Sequence, residues 1–519
     1  MQTIGTAVAG FLSQTYAVWV ALGSVLAMRK LLHYFQLESY QLPGYAKSVK
    51  RNFAKAQLPG TVLAIVCLMV GPPAFSALCA LAVGAGFYWM ARRTKAKKAL
   101  VFTPRMKRLC AVLLALEIVM GLALSLITPK LCLLVPLCAP LMLALAAQCA
   151  APMEKRINMG FYRDAQKRLE ARPDLIRIGV TGSYGKTSTK FLLRTILSER
   201  YNVLATPSSF NTAMGVTRII REQLRPEHEV FIAEMGARHV GDIRELVELV
   251  HPTMGLLTSV GPQHLDTFGN IETVAATKYE LIDGLPQDGI AVFARDGAIC
   301  EQLYEKCPLK GRHLAGEQIW AEHIAVGPEG STFELVSRDG TRVPCQTCLL
   351  GEHAIANLML CAQAALCLGM TVQEIAAGIA RCQSVEHRLQ LLPTGNGVTV
   401  IDDAFNSNPV GAAAALRVMK NFPGRRIIIT PGMVELGEKE AEYNRAFGEQ
   451  MAESVDIAIL VGGKHTAPIW EGLKAKGFAR ENCFIVASLD ESTRVLGSLV
   501  RAGDVVLYEN DLPDNYEEK

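Results

Sequence analysis

Net charge is what this chain has least of. Its 53 Lys and Arg nearly balance 49 Asp and Glu, leaving +4 over 519 residues, and no long basic tract follows Met153. That balance argues against the basic footprint of a nucleic-acid-binding protein, so no nucleic-acid partner is expected. A secretory leader is lacking as well. The first apolar run, Gly5 to Ala27, has neither a basic start nor a small-residue cleavage site, and reads as an anchor. Regular metal-ligand spacing is also missing. Of fourteen cysteines, six (Cys67, Cys79, Cys110, Cys132, Cys138, Cys149) lie in apolar N-terminal segments and eight are scattered, as expected of reduced cytoplasmic thiols. Cys345 and Cys348, with Cys300 and Cys307 upstream, admit a zinc site. Their irregular spacing and strand context favour structural cysteines.

What is present in excess is apolar sequence. Half of the residues are hydrophobic and mean hydropathy is +0.22, with the excess before Met153. Gly5 to Ala27, closed by Arg29-Lys30, is long enough to cross ~30 Å of hydrocarbon. Leu58 to Ala91, interrupted by Gly71-Pro72-Pro73, reads as a hairpin of two short spans. Leu109 to Ile127 and Leu131 to Ala151, around Pro129-Lys130, read as a second hairpin, making about five spans. The 28–56 and 92–108 loops hold the basic residues and the hairpin turns almost none. Positive-inside bias therefore places the N-terminus outside and the remainder of the chain inside. Five buried core helices with basic flanks would be hard to place in a soluble domain. Gln36 to Tyr40 and the residues after it suit the headgroup level, either as part of a lipid-linked substrate site or as a plain interfacial loop.

After residue 153 the pattern is ordinary α/β. Leu175 to Val180 is a short apolar strand that runs into Thr181-Gly182-Ser183-Tyr184-Gly185-Lys186-Thr187-Ser188 and then a helical run to Leu197. Strand, glycine turn and helix start are the context a phosphate loop requires. Glycines let backbone N–H groups face phosphates, and the helix N-terminus adds partial positive charge. Lys186 would reach the β/γ-phosphates and Thr187 would give its hydroxyl to Mg²⁺. Val180 occupies the place of the usual first glycine, so the motif is the T-G-x-x-G-K-T variant.

That variant resembles the Mur ligases and their relatives, the folylpolyglutamate and cyanophycin synthetases, and further matches follow in the family's order. Ser209 to Gly215, containing Asn211, is similar to an N-N-x-x-G loop. Val230 to Gly236 is a buried strand ending on Glu234, where the family keeps a magnesium ligand. Gly255 to Asp266 carries the family's histidine at His264, and Lys278 matches the lysine that Mur ligases carbamylate to gain a metal ligand. Gly351-Glu352-His353 and Asn357 resemble a G-x-H-N-x-x-N signature. Each has a plainer reading: Glu234 as a strand end, His264 as a loop residue, Lys278 on a solvated helix face. Joint order and spacing favour the family.

Further on, Arg388 matches the arginine that Mur ligases place on ATP. Asp402-Asp403-Ala404-Phe405-Asn406-Ser407-Asn408-Pro409 and Gly432 to Gly437 resemble signatures of the branch that adds D-alanyl-D-alanine to UDP-N-acetylmuramoyl-tripeptide. The resemblance puts Asp403 and Asn357 on the nucleotide, and Asn211, Asn406 and Asn408 toward substrate. It weakens at the two ends. That branch follows the last strand with Lys-Gly-Ser, whereas Val505-Val506-Leu507 is followed by Tyr508-Glu509-Asn510-Asp511. Membrane spans stand where the family has a UDP-sugar-binding domain.

The expected architecture is α/β: a P-loop Mur-type ATPase domain over 174–384 and a Rossmann-like domain over 385–519. A transmembrane helical region (1–152) and a juxtamembrane segment (153–173) precede them. The resemblance implies an ADP-forming acid–amino-acid ligase of cell-wall synthesis. It would activate a carboxylate as an acyl phosphate for attack by an amino acid or dipeptide such as D-alanyl-D-alanine. ATP and Mg²⁺ are the implied cofactors; Lys186, Glu234, His264 and Lys278 the catalytic set; Thr187, Glu234, His264 and carbamylated Lys278 the metal ligands. The acceptor would be a small-molecule or lipid-linked peptide, and the location a bacterial plasma membrane with the catalytic domains cytoplasmic. A membrane partner or homodimer fits the spans. The alternatives are a ligase making a poly-γ-linked or amidated product, and a non-catalytic ATP-binding scaffold.

Overall fold

The computed structural model describes residues 15–70, 72–93, 99–208, 210–263, 265–392, 394, 397–405, 407–434 and 436–511. The chain divides into two compact units, one up to Met159 and one from Gly160.

The first unit is helical. Phe53–Val70, Pro73–Arg93 and Pro104–Ser125 are single helices long and apolar enough to cross a bilayer. The expected first span is described only from Thr15, with its helix over Tyr16–Ala27. The expected fifth is not one straight helix: Pro129–Leu137 and Ala139–Glu170 meet at 81°. The count of continuous apolar helices is thus three among the described residues, or four if the bent pair is one span. Small residues set the packing. A Cβ on Gly23 would lie 2.3 Å from the Ala80 carbonyl oxygen, and one on Gly84 would lie 2.2 Å from that of Gly23. Glycine is required at this crossing, as where apolar helices approach closely without a hydrophobic driving force between them.

The second unit carries one parallel sheet, one sheet that is parallel but for an edge strand, and one antiparallel sheet. The strands of the first sheet are β1 (Ile176–Thr181), β2 (Val203–Ala205), β3 (Val230–Glu234), β4 (Met254–Leu257), β5 (Ile290–Phe293) and β6 (Gly311–Leu314). They lie in the order β2-β3-β1-β4-β5-β6, all parallel. Every residue of β3 and β4 is buried, as for strands covered on both faces. Helices pack on each side. One core gathers Leu192, Leu193 and Ile196 with Leu358 and Ile379; the other gathers Ile219, Leu246 and Leu281 with Leu169. A meander of β7 (Ile319–Gly327), β8 (Gly330–Ser337) and β9 (Arg342–Thr347) follows; the strand context of Cys345 is expected from sequence, the two strands before it are not.

The second sheet contains β10 (Gln390–Leu392), β11 (Thr399–Asp403), β12 (Arg426–Thr430), β13 (Ile457–Val461), β14 (Cys483–Val486) and β15 (Val505–Glu509). Its order is β10-β11-β15-β12-β13-β14, with only β10 antiparallel to its neighbour. This is the expected Rossmann-like half.

Candidate functional site

The carboxyl ends of β3, β1 and β4 lie side by side, with Val180 paired to Glu234 and Thr181 to Leu257. Chain connections leave β1 toward β2 on one side and β3 toward β4 on the other. The crevice at such a reversal is where open α/β sheets bind ligands.

Thr181 ends β1, and its Oγ1 donates to the Met235 carbonyl at 2.9 Å. Gly182 has φ +150°, and a Cβ there would lie 2.1 Å from Thr258 Oγ1. Gly185 is left-handed at φ +78°, with Asn357 Oδ1 3.1 Å from where its Cβ would be. The residues after β4 brace the loop. Ser183 N–H donates to the Ser259 carbonyl (2.8 Å), Tyr184 N–H to Ser259 Oγ (2.8 Å), and the Tyr184 hydroxyl to the Pro262 carbonyl (2.6 Å). The helix Lys186–Leu197 starts directly on Gly185, and no side chain caps it. Its first N–H groups, with Ser188 in the first turn, are therefore available to a phosphate. Lys186 Nζ donates to the carbonyls of Gly182 (2.7 Å) and Ser183 (3.0 Å), across the mouth of the loop. Removal from water, with Arg388 nearby, pushes its pKa down to about 8, against the pull of Glu234.

Glu234 is the hub. Its Oε1 accepts from Thr187 Oγ1 (3.1 Å) and Asn211 Nδ2 (3.1 Å), and its Oε2 pairs with Lys190 Nζ at 2.9 Å. Its N–H donates to Thr206 Oγ1 at 3.1 Å. The strand-end reading of this carboxylate is too modest, because three elements converge on it. The hydroxyl of Thr187 and the carboxylate of Glu234 are hard oxygen donors at hydrogen-bond separation, a set that suits Mg²⁺. Lys278, in the helix Ile271–Asp283, is not on a solvated face: it is 1% exposed. Burial, with Lys186 second, pushes its pKa down to about 7; Asp242 and Glu280 pull the other way. A neutral amine is the form that adds to CO₂, so this environment fits the carbamate. His264 and Asn406 lie outside the described residues.

The second sheet contributes from one turn. His387 and Leu389 flank Arg388 in left-handed conformation (φ +58° and +44°). The Leu389 N–H donates to Asp403 Oδ1 at 3.2 Å, and the Arg388 guanidinium stands 4.5 Å from the Phe405 ring centroid. Burial lowers the Arg388 pKa, and the charges of Asp403, Glu234 and Glu509 oppose that loss. Arg388 is thus within electrostatic reach of the hub. Asp403 and Glu509 are register partners on β11 and β15. Burial raises both carboxyl pKa values, Asp403 to about 6 and Glu509 well above the usual range. Glu509 Oε1 accepts from Ser407 Oγ (2.6 Å), while its buried Oε2 has no donor. Asn408 caps the helix Pro409–Lys420 by accepting from Gly411 N–H at 2.9 Å. Its Oδ1 is used in that cap.

Lys190 was not singled out from sequence. Its signal was available: it follows Lys186 by four residues, one helical turn on the same face. Thr206 and Ser259 act through contacts from the turns after β2 and β4 and gave no local signal. Among the described residues Cys300, Cys307, Cys345 and Cys348 form no group with ligand atoms close enough for a metal, and every cysteine is free.

Comparison with known proteins agrees with this geometry. Residues 180–365 match the Mur ligase middle domain, and residues 387–508 match the Mur ligase, glutamate ligase domain. The UDP-N-acetylmuramoyl-tripeptide--D-alanyl-D-alanine ligase of Mycobacterium tuberculosis is 31% identical over 357 residues, covering 64% of this chain and 69% of that protein. The Bacillus subtilis protein of the same name is 27% identical over 339 residues, covering 64% and 72%. Among solved structures, MurF from Acinetobacter baumannii superposes with a TM-score of 0.62 at 24% identity, covering 69% of this chain and 78% of that one. MurF ligase from Thermotoga maritima, in complex with ADP, gives 0.60 at 23% identity, covering 68% and 80%. With its phosphate loop, its carboxylate hub and both family domains in order, this chain belongs to the Mur ligase family of ATP-dependent ligases.

Proposed function

We propose that the chain joins an amine to a carboxylate of a cell-wall precursor peptide at the inner face of a bacterial membrane, with D-alanyl-D-alanine as the first amine to test. The observation that carries this reading is the convergence of Thr187, Asn211 and Lys190 on Glu234 at the mouth of the phosphate loop. The names of the curated relatives supply the amine and the precursor.

In this reading Thr187 and Glu234 hold one Mg²⁺, and His264 with carbamylated Lys278 a second. When bound, the ions neutralise charge on the transferring phosphoryl group. Lys186 adds its charge to the same oxygens once it leaves the loop carbonyls. Arg388 supplies positive charge from the second sheet, so the two sheets must close on one another for transfer. The acceptor carboxylate becomes an acyl phosphate, and the amine then displaces phosphate. The apolar helices are read as membrane spans with the ligase domains on the cytoplasmic side. A precursor already attached to lipid suits that arrangement.

A second reading keeps the chemistry and changes the amine. Glu509 ends β15 and Asn510 follows it, and both are committed internally, Glu509 through Ser407 Oγ (2.6 Å) and Asn510 through Ser407 N–H (3.1 Å) and the Gly432 carbonyl (2.6 Å). Neither offers a cation to an incoming carboxylate, which favours an amine other than a dipeptide.

The test is ADP release by the full chain, with soluble and lipid-linked muropeptides and a panel of amino acids, ammonia and D-alanyl-D-alanine. Release that requires muropeptide and D-alanyl-D-alanine supports the first reading. Release with another amine alone supports the second. Unchanged cellular function of Lys186→Met without ADP release would indicate a scaffold.

A further inference from the structure

The helical unit contains a cavity of about 290 Å³ between the turn after Arg29–Leu37 and the helices Pro104–Ser125 and Ala139–Glu170. Its floor is Phe35, Leu109 and Ala150, all buried, while Gln148 and Ala151 are exposed at the rim. The volume sits at the lower end of the ~300–1,000 Å³ range of small-molecule sites. It holds a headgroup and the first carbons of a chain, not a whole lipid.

The wall is built, not loose. Ser39 and Tyr40 are both left-handed (φ +53° and +63°), a conformation that non-glycine side chains rarely adopt. Gln36 holds the strained turn against the 99–103 segment. Its Nε2 donates to the Val101 carbonyl at 2.8 Å, its Oε1 accepts from Val101 N–H at 2.9 Å, and Nε2 also reaches the Tyr40 hydroxyl at 3.1 Å. The Tyr40 ring is thereby placed 4.1 Å from the Arg105 guanidinium, which also lines the cavity.

Charge decides what fits. Glu154, the one carboxylate on the lining, is held by Arg108 through Nε (2.6 Å) and Nη2 (2.8 Å). That bidentate pair neutralises it and leaves the Arg105 charge in excess. Arg105 is the second residue of its helix and belongs to the basic 92–108 stretch. In a membrane-spanning reading, this is the level at which lipid phosphates lie on the cytoplasmic side.

We infer that this cavity binds the phosphate end of an anionic membrane lipid. The phosphate sits on Arg105, and the first carbons of the chain lie along Leu109 and Ala150. The inference rests on the helices being membrane spans, and is separate from the identity of the ligase substrates.

The test uses the full chain in phosphatidylcholine nanodiscs containing a minor fraction of phosphatidylglycerol, with retained lipid measured by native mass spectrometry. Failure to enter nanodiscs would defeat the membrane reading itself, and is scored separately. Arg105→Ala is expected to weaken retention about fivefold, the factor given by ~1 kcal/mol per basic residue at a membrane surface. Ala151→Trp, which fills the mouth from an exposed position, is expected to weaken it at least as much. Arg92→Ala, in the same basic region but off the cavity, is expected to leave retention within about twofold. Equal loss in all three variants, or no loss in Arg105→Ala and Ala151→Trp with unchanged unfolding temperatures, overturns the site. Full displacement by inorganic phosphate at equal concentration overturns the lipid as its source.

Discussion

Lys190 Nζ lies 2.9 Å from Glu234 Oε2, with the lysine side chain 0% exposed and the carboxylate 1%. Burial pulls the Lys190 pKa down, and the Glu234 carboxylate beside it pulls the other way. Lys190→Met should therefore cost ~3–5 kcal/mol, because the carboxylate is left buried and uncompensated. Lys190→Met combined with Glu234→Gln should recover most of that loss in chemical denaturation, yet remain inactive. A single variant as stable as the parent contradicts the pairing.

The phosphate loop is intolerant of a side chain at two positions, for different reasons. In Gly182→Ala the new methyl meets Thr258 Oγ1 at 2.1 Å, and the loop must move. In Gly185→Ala the strain is mainly conformational, ~1–2 kcal/mol for a left-handed residue, with Asn357 close by. Nucleotide affinity, measured by isothermal titration of the full chain, is expected to be lost in the first variant and about tenfold weaker in the second.

Lys278 makes a prediction with a sign. An ordinary lysine pKa near 10.5 falls to about 7 here, so between these values the unfolded chain holds the extra proton. The penalty on folding is full below pH 7 and fades as pH rises to 10.5. Lys278→Met should accordingly be more stable than the parent at pH 7, by ~1–2 kcal/mol, with the difference closing toward pH 10. Activity should move the other way. ADP release by the parent should climb from pH 6 to pH 8 as the amine becomes neutral. Lys278→Ala should be silent until short-chain acids stand in for the carbamate; full activity without them removes Lys278 from the metal site.

Burial and the neighbouring Asp403 carboxylate push the Glu509 pKa up, so a neutral amide should replace it well. Glu509→Gln is expected to cost less than ~1 kcal/mol and keep ADP release within about threefold. Glu509→Lys, a buried cation beside Arg388, is expected to unfold the second sheet at physiological temperature. A large loss in Glu509→Gln would mean that the ionised carboxylate is the working form.

Much of the ligase part was readable along the chain, because its signals are local. An apolar strand, a glycine turn and a helix start follow one another at Ile176 to Leu197, and a phosphate loop needs nothing else nearby in sequence. Strands β13 and β14 fell where apolar runs of strand length ended in turn residues. Of the β7–β9 meander only the strand around Cys345 was legible, because β7 is largely half-buried or exposed and shows no clear period-2 pattern. The bend near Cys138 was missed because hydropathy over Leu131 to Ala151 is blind to direction.

By itself, then, the sequence determined that a triphosphate loop, its carboxylate and its lysine lie on one Mur-type framework, since short-range patterning encodes strand ends and helix starts. Only the tertiary structure decided what those residues do to one another. Lys190 pairs with Glu234, burial pulls the Lys278 pKa down to about 7, and burial beside Asp403 pushes the Glu509 pKa up. In each case the cause is desolvation by neighbours tens or hundreds of residues away. Electrostatic energy in a poorly solvated interior depends on distance and burial, and a linear chain specifies neither until it is folded.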